Sequence, residues 1–496
     1  MMSRFRWWPV FPILLAAHPV LNLYAQNADQ VRLGSALPAL GISITAATAL
    51  TVVSWPLFGD PIKGAVVSAS CAIMFFGYVP LYMFFRRAAG PFLGPDLTQD
   101  IFRHRNLIPV AVLLPVVVAM LVKKGETLRR AVPFVNTIAL LLVAMPLAIA
   151  LQQSRGTTVA SITRFDDVEM PAARSGTLRD IYYIILDAYG SERLLKNRSA
   201  FDNHAFVEFL TRKGFYVAPE SRANYPITRF SLSSSLNMDY LSKLEGRPDV
   251  TVSLIENNRV ERFLKAVGYS IVRFPTWWVG TKRAPFADVR FESRVKEWSE
   301  FNETLLEMSM LGPFVAFGRE AERTHTLYAF DKLQKMPPLG KPMFVFVHIL
   351  CPREPFVFDR DGNRRQDGET RWRYDDPHSM DRYVDQVIFV NQEIEQLIDN
   401  LIIRSKVPPI IIIQGDHGPT YPDEWLRRGY FGILNAYYLP DGGAEKLYPS
   451  ITPVNSFRVI LDYYFGTHLG LLEDRSFLFG PSTHSLQFHQ ASGSEE

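Results

Sequence analysis

The segment Ile181-Tyr182-Tyr183-Ile184-Ile185-Leu186-Asp187 decides the fold of this chain. Six apolar or aromatic residues in a row, with no polar face, are typical of a strand buried on both sides of a parallel sheet. Comparable runs occupy 343–347 and 410–413, and helical segments separate them. Strands that alternate with helices predict an α/β domain in the C-terminal part of the chain.

Side chains able to bind a metal follow each of these predicted strands. Asp187 follows the first, His348 the second, and Asp416 with His417 the third. Singly, such an aspartate often shapes a turn or caps a helix. Ligands, however, gather at the carboxyl ends of strands in open α/β sheets. Two carboxylates and an imidazole suit a divalent ion such as zinc or manganese, which predicts a metal site at this edge.

Thr228 is the predicted nucleophile and a further metal ligand. It follows an extended segment that contains Pro226 and precedes an apolar period from Phe230 to Leu241 that predicts a helix. A hydroxyl at a helix N-terminus would lie among free amides that favour a phosphate or an alkoxide. The alternative is that Thr228 or Ser231 only caps this helix.

The composition excludes several classes of protein. The chain has 53 Lys+Arg against 50 Asp+Glu, a net charge of +3, and no long basic run, so a nucleic-acid partner is not expected. Its two cysteines do not support a disulfide framework. With 496 residues and 48% hydrophobic content, the chain is expected to combine a membrane part with a soluble domain.

Five apolar runs in the first third predict about five transmembrane helices, because each approaches the ~20 residues that cross a bilayer. They occupy 8–24, 36–58, 64–85, 107–122 and 132–151. The first run also fits a signal peptide, but the four runs after it favour a retained anchor. The predicted domains are therefore a transmembrane domain at 1–151, a polar juxtamembrane linker at 152–177 and a catalytic domain at 178–490.

Loop charges give the orientation. If the N-terminus is cytoplasmic, the inner segments carry Arg4, Arg6, Lys63, Lys123, Lys124, Arg129 and Arg130. The outer segments carry fewer basic residues, namely Arg32, Arg86, Arg87, Arg103 and Arg105. Basic residues accumulate on the cytoplasmic side, so the catalytic domain is predicted to be extracytoplasmic.

These motifs resemble those of the alkaline-phosphatase/sulfatase superfamily, especially its membrane branch of phosphoethanolamine transferases and lipoteichoic acid synthases. Asp187 in Ile-Leu-Asp-Ala-Tyr-Gly matches the first acidic ligand, which is Glu in the lipid-modifying branch. Thr228 in Thr-Arg-Phe-Ser-Leu matches the nucleophile, and Asp416-His417 match the paired late ligands. The resemblance spans most of the chain. It implies a transmembrane bundle followed by an alkaline-phosphatase-like α/β/α sandwich domain.

The sequence departs from this pattern at two positions. Where the transferases have two further histidines, this chain has Arg353 and Asn435, which makes a second metal site unexpected. Arg353 is a predicted catalytic residue that contacts phosphate, although an ion pair with Glu354 or Asp359 would explain it equally well. Asn435 and Tyr225 are predicted to contact substrate.

The resemblance implies a transferase or hydrolase in the bacterial inner membrane, with its catalytic domain in the periplasm. A phospholipid would donate a phospho-headgroup to an envelope glycan or glycolipid through a Thr228 intermediate, assisted by His348. A formylglycine sulfatase is not expected, because Cys351-Pro352-Arg353 lacks the Cys/Ser-x-Pro-x-Arg spacing. The alternative is a non-catalytic protein of the same fold that binds envelope glycans or lipids or serves as a scaffold.

Overall fold

The structure is a computed structural model of the 496-residue chain. It describes residues 8–28, 31, 33–124, 129–154, 178–244, 250–293, 300–314, 317–365, 378–419, 431–479 and 488–490. The chain divides into two compact units. One unit comprises Met1–Thr157 with Trp298–Gly318, and the other comprises Thr158–Glu297 with Arg319–Glu496. We call them the helical unit and, after the catalytic domain predicted from the sequence, the catalytic unit. Most of the predicted linker, from 155 to 177, lies outside the described residues.

The helical unit begins with five apolar helices in its described residues. They are α1 (Phe11–Gln26), α2 (Leu33–Phe58), α3 (Pro61–Ile101), α4 (His104–Lys124) and α5 (Val132–Ser154). Four of these contain segments long and apolar enough to cross a membrane: Leu33–Phe58, Pro61–Ala89, His104–Lys123 and Val132–Leu151. The first helix has 16 described residues, fewer than the ~20 of a typical span. The prediction of about five helices in this region is confirmed.

The catalytic unit contains a seven-stranded sheet in the order β2-β7-β6-β1-β5-β3-β4. Its strands are β1 (Ile181–Leu186), β2 (Tyr216–Val217), β3 (Ser270–Phe274), β4 (Val289–Arg290), β5 (Met343–Ile349), β6 (Ile410–Gly415) and β7 (Asn435–Tyr438). The five strands from β6 to β4 in this order are parallel, and β7 and β2 complete the sheet in antiparallel pairs. A separate hairpin pairs β8 (Phe477–Phe479) with β9 (Phe488–Gln490).

Helices cover both faces of this sheet. They are α6 (Glu192–Ser199), α7 (His204–Arg212), α8 (Thr228–Asn237), α9 (Thr251–Glu256), α10 (Arg259–Ala266), α11 (Val279–Lys282), α13 (Phe317–Lys335), α14 (Ser379–Arg404) and α15 (Pro453–Ile460), while α12 (Glu300–Glu307) belongs to the helical unit. Short 3₁₀ or π turns occupy Leu241–Leu244, Gly312–Phe314, Gly443–Lys446 and Leu461–Phe465.

Strand β1 shows why the sheet is central. Tyr182, Ile184 and Leu186 join one hydrophobic core with α13 and α14, whereas the alternating residues join a second core with α8, α10 and α15. Because side chains alternate across a strand, a run without polar residues is buried on both faces. The predicted α/β/α sandwich is therefore confirmed.

The observed elements differ from the predicted ones mainly at their ends. Strand β5 continues through His348 to Ile349, and β6 continues to Gly415. Helix α8 begins at Thr228 itself and ends at Asn237, earlier than the predicted Leu241. The helix ends at Asn237 because the Met238 backbone adopts φ 56°, a left-handed conformation that terminates the helix.

Candidate metal centre and active site

Three neighbouring parallel strands bring the predicted ligands together. Strand β1 lies between β5 and β6, and its last residue, Leu186, pairs with Ile349 on one side and Gly415 on the other. Asp187 and Asp416 therefore leave adjacent strands at the same level. His348, one residue before the end of β5, lies beside them. The predicted meeting of side chains at one edge follows from the register of these strands.

Two backbone features let the strand ends approach each other. A Cβ atom at Gly415 would lie 2.3 Å from the Tyr189 carbonyl oxygen, so only glycine fits directly before Asp416. Ala188 adopts φ 63°, a left-handed conformation unusual for alanine. Its N–H donates to Asp416 Oδ1 at 2.9 Å, and the hydrogen bond helps to hold that backbone.

Asp187, Asp416 and His417 form a compact buried cluster. His417 Nε2 lies 3.4 Å from Asp416 Oδ2 and 3.7 Å from Asp187 Oδ1. The candidate ligand atoms of the three residues all lie within 4.8 Å of one another. Asp187 Oδ1 and Asp416 Oδ2 are buried and have no hydrogen-bond partner among the described residues. Unpartnered buried carboxylate oxygens are costly, and a divalent cation would satisfy both, so this cluster fits a metal ion.

The hydrogen bonding of His417 supports the same assignment. Its Nδ1 lies 2.7 Å from the Gly418 carbonyl oxygen, which can only accept a hydrogen bond. Nδ1 therefore carries the proton, and Nε2 presents a lone pair to the cluster. A backbone carbonyl that fixes the tautomer in this way is common for metal-binding histidines.

Thr228 lies at the edge of this cluster. Its Oγ1 is 3.1 Å from His417 Nε2, and the side chain is nearly buried at 9% exposure. The residue before it, Ile227, is the N-cap of α8, and it makes no side-chain capping bond. Ser231 Oγ, one turn later, donates to the Asp416 carbonyl oxygen at 2.6 Å. Ser231 therefore fastens the start of α8 to the end of β6, and neither hydroxyl acts as the cap.

The two carboxyl groups have opposite pKa shifts. Burial alone would raise the pKa of Asp187, but the Arg353 guanidinium and His348 beside it bring the pKa down to about 2. Burial raises the pKa of Asp416 above its usual value. Asp187 is thus ionised at neutral pH, whereas a nearby cation would most stabilise the ionised form of Asp416.

Arg353 and His348 flank Asp187 on the side away from the metal-facing oxygen. Arg353 Nε and His348 Nε2 each lie 3.3 Å from Asp187 Oδ2. The Arg353 side chain keeps 23% exposure. A partly exposed cation next to this carboxylate cluster can receive a phosphate oxygen.

A chain of contacts holds Arg353 from behind. Its guanidinium lies 5.3 Å from the centre of the Trp277 ring. The Trp277 indole N–H donates to Glu322 Oε2 at 2.6 Å, and Glu322 is 2% exposed. Glu322 therefore orients Trp277, and Trp277 supports the guanidinium.

A small cleft of about 20 Å³, enough for about one water molecule, adjoins this group. Its lining includes Phe274, Thr276, Glu322, His325, Thr326 and His348. Burial lowers the pKa of His325 to about 4, so this imidazole is neutral at neutral pH. Thr326 Oγ1 is buried without a hydrogen-bond partner in the described part of the chain. The lining of the cleft thus combines apolar walls with a few polar groups.

Two predicted substrate residues are not brought into the metal cluster. Asn435 is fully buried in β7, where it accepts from Gln414 Nε2 and donates to Ser221 Oγ, both at 2.8 Å. The Tyr225 hydroxyl accepts from the Leu241 N–H at 2.8 Å within a hydrophobic core. Both side chains hold elements of the fold together.

Sequence reasoning missed Glu322, Trp277 and Ser231 as parts of the site. Glu322 lies in a helix that also carries many surface charges, and nothing in its local pattern marks it as buried. The sequence suggests Ser231 only as a cap. All ten residues of α8 are buried, although six of them are Thr, Ser or Asn and the helix has little amphipathic pattern. Such a helix must find polar partners elsewhere.

Comparisons with known proteins identify similar folds. The C-terminal periplasmic domain of EcEptC from Escherichia coli, in complex with zinc, has a TM-score of 0.44 at 12% identity and covers 64% of this chain and 94% of its own. The integral membrane lipooligosaccharide phosphoethanolamine transferase EptA from Neisseria meningitidis has a TM-score of 0.38 at 13% identity, with 91% and 94% covered. An alkaline phosphatase superfamily protein from Vibrio parahaemolyticus gives 0.39 at 14% identity, with 62% and 74% covered.

No family model and no curated protein matches the sequence. The likeness to solved structures is one of fold at low identity, so the function has to be inferred from the residues of the site. The chain is similar in fold to membrane phosphoethanolamine transferases and to other proteins of the alkaline phosphatase superfamily.

Proposed function

We propose that this protein is a membrane-anchored, metal-dependent enzyme that acts on phosphoesters with Thr228 as its nucleophile. The observation that carries the proposal is the position of the Thr228 hydroxyl, 3.1 Å from His417 Nε2 at the edge of a buried carboxylate cluster. Two carboxylate oxygens beside this hydroxyl are buried without a hydrogen-bond partner among the described residues. Such oxygens call for an explanation, and a bound cation supplies one.

Each residue of the site has a role that follows from its position. Asp187, Asp416 and His417 would hold the ion, with Thr228 completing the set. A divalent ion such as zinc or manganese would supply concentrated positive charge next to the Thr228 hydroxyl and the bound phosphate. Arg353 holds a phosphate oxygen from the solvent side, and the positive end of the α8 helix dipole favours the same negative charge.

The reaction proceeds by displacement at phosphorus. A bond forms between Thr228 Oγ1 and phosphorus, the Thr228 proton passes to water, and the bond to the leaving alcohol breaks. His348 gives a proton to the leaving alkoxide. In the second half His348 takes a proton from water or from an acceptor hydroxyl, whose oxygen then displaces Thr228 from phosphorus, and Thr228 Oγ1 takes back a proton from water. Hydrolysis and transfer differ only in that final acceptor.

We propose a phospholipid as the phosphoester donor and an envelope glycan or glycolipid as the acceptor. The candidate membrane spans support a donor that resides in the bilayer. The loop charges support an extracytoplasmic catalytic unit at the bacterial inner membrane.

The test is to incubate the purified full-length chain with labelled phosphatidylethanolamine and, separately, with labelled phosphatidylglycerol. Mass spectrometry of the digested protein would then locate any adduct. A phosphorus-containing group on Thr228 supports the proposal and identifies the headgroup. Turnover with the adduct on another residue, or no turnover of either lipid or of bis(4-nitrophenyl) phosphate, contradicts it.

Arg353→Ala is expected to lower kcat/KM for phosphodiesters by about 10- to 100-fold, because a charge-assisted contact to phosphate contributes about 1.5–3 kcal/mol. Steady-state kinetics with bis(4-nitrophenyl) phosphate would measure this. Arg353→Lys should recover only part of the loss, since lysine lacks the planar fork.

The matched control is Arg360→Ala, which removes an arginine whose side chain is 63% exposed and paired with Asp385. It should keep wild-type kinetics. If Arg353→Ala does the same, Arg353 is a surface residue that takes no part in binding phosphate.

Glu322→Ala is expected to reduce kcat/KM by about tenfold through Trp277 and Arg353, because the indole loses the acceptor that orients it. Glu322→Gln should retain most of the activity, since its amide oxygen can accept the same N–H. Kinetics of both variants, compared with the Arg353→Ala variant, provide the measurement. Once Arg353 is replaced, a further Glu322→Ala change should have little additional effect. Independent, multiplicative losses would show that Glu322 acts by another route.

A further inference from the structure

Residues 298–318 leave the catalytic unit and join the helical unit. The catalytic unit ends one stretch at Glu297 and resumes at Arg319. Within the helical unit, α12 buries Phe301 and Leu305 against Val20, Leu23 and Ala36 of helices α1 and α2. A short helix from far along the chain therefore packs against two neighbouring apolar helices.

A backbone hydrogen bond fixes the turn after this helix. The Met310 N–H donates to the Phe75 carbonyl oxygen at 2.7 Å, and Phe75 lies on α3. Ser309 Oγ donates to the Leu306 carbonyl oxygen at 2.6 Å and accepts from the Leu311 N–H at 3.1 Å. The segment is thus held on three of the apolar helices.

The outer side of the segment is apolar and exposed. Met308, Leu311 and Phe314 are 41%, 44% and 66% exposed. They recur at intervals of three residues across the turn that follows α12, and the last part of that turn, Gly312–Phe314, is a 3₁₀ turn. We call these three residues the apolar ridge.

Large exposed apolar side chains are few among the described residues that follow the predicted linker. From residue 178 onward, the described residues with large exposed apolar side chains are Leu178, Met308, Leu311, Phe314, Ile403 and Leu471. Three of these six fall within seven consecutive positions. This clustering marks a surface that meets an apolar environment.

The position of the segment indicates which environment that is. Leu23 lies near the end of α1 and Ala36 near the start of α2, so α12 packs at the end of the bundle where these helices connect. Exposed apolar residues of the candidate spans, such as Leu33, Leu37 and Ile73, lie close along the same helices. Those side chains face lipid if the helices cross a membrane, and the apolar ridge belongs to the segment that packs on these helices.

We propose that the apolar ridge inserts into the boundary between lipid headgroups and acyl chains. The segment 298–318 would then be a second attachment of the catalytic part of the chain to the bilayer, besides the connection after α5. Aromatic and aliphatic side chains at such a boundary bind in proportion to the apolar area they bury. A second copy of the chain is the competing occupant.

The experiment uses the full-length chain in phosphatidylcholine vesicles. Single cysteines replace Leu311 or Phe314 in a Cys71→Ala background, and each carries an environment-sensitive fluorophore. Native Cys351 is 1% exposed and should stay unlabelled, which the parent protein checks. The control is Ile403→Cys, at an 83% exposed apolar position on α14.

Spin labels on the first acyl carbons should quench the fluorophores at 311 and 314 at least about twofold more than the fluorophore at 403, and iodide should show the opposite order. Equal access of iodide to all three positions would overturn the proposal. So would an emission shift that depends on protein density without lipid quenching, because it would indicate a second copy. These readouts do not depend on catalysis, so they are independent of the proposed enzymatic function.

Discussion

Thr228→Ala is expected to abolish phosphoester turnover, by at least about 1,000-fold in kcat, while the protein remains folded. The hydroxyl is the atom that bonds to phosphorus, and no other hydroxyl is seen at this distance from His417 Nε2 in the described residues. Thr228→Val preserves the shape of the side chain and should be equally inactive. Activity toward bis(4-nitrophenyl) phosphate and the amount of adduct in the peptide that contains residue 228 provide the measurement.

Thr228→Ser is the matched control, because it keeps the hydroxyl and is expected to retain activity within about tenfold of wild type. The circular dichroism spectrum of Thr228→Ala should match that of the wild type. Its metal content should fall only as far as the loss of the Thr228 ligand weakens ion binding. Full turnover by Thr228→Ala would exclude a covalent threonine intermediate. A wild-type protein that binds lipids or glycans without turning them over would favour the non-catalytic alternative.

Asp416→Asn is expected to weaken divalent-ion binding by more than about 100-fold and to remove activity with it. The substitution alters one oxygen of the side chain and keeps the hydrogen bonds of the other. The amide oxygen can still accept from the Ala188 and His417 N–H groups, at 2.9 and 3.0 Å, whereas the unpartnered Oδ2 is replaced by an N–H donor. Elemental analysis and isothermal titration with Zn²⁺ and Mn²⁺ would measure the change.

Lower pH should weaken ion binding in the wild-type protein as well, because burial raises the pKa of Asp416 and a proton then competes with the ion. The control variant is Asp381→Asn, whose carboxylate is 73% exposed and should leave metal content unchanged. A stoichiometric, tightly bound ion in Asp416→Asn would place the metal site elsewhere. Chelation of the wild-type protein should reproduce the variant's loss of activity, and added zinc or manganese should restore it.

The positions of Asp187, Asp416 and His417 could be predicted from sequence because they depend on local features. Each follows an uninterrupted apolar run, and parallel strands place their carboxyl ends at one edge of a sheet. Thr228 was predictable for a similar reason, since the extended residues before it and the helix after it fix its place at a helix start. No knowledge of distant side chains was needed for these residues.

Other contacts depend on packing between distant segments. Arg353 meets Asp187, and Glu322 meets Trp277, only because of how helices settle on the sheet. Asn435 has the sequence position of a substrate residue, yet its amide is directed into the sheet and toward Gln414. Periodicity shows which face of an element is buried, but it does not show which polar groups on that face find each other.

The segment 298–318 also bears on the order in which the chain folds. Phe301 packs on Val20 and Leu23, although four further apolar helices and the whole stretch Thr158–Glu297 lie between them in the chain. Proteins made from the N-terminus usually complete one unit before the next emerges. Here the helical unit lacks a part of its core until α12 has been synthesised, by which time β1 and β3 already exist but β5 and β6 do not. Neither unit can therefore be completed before synthesis of the other has begun.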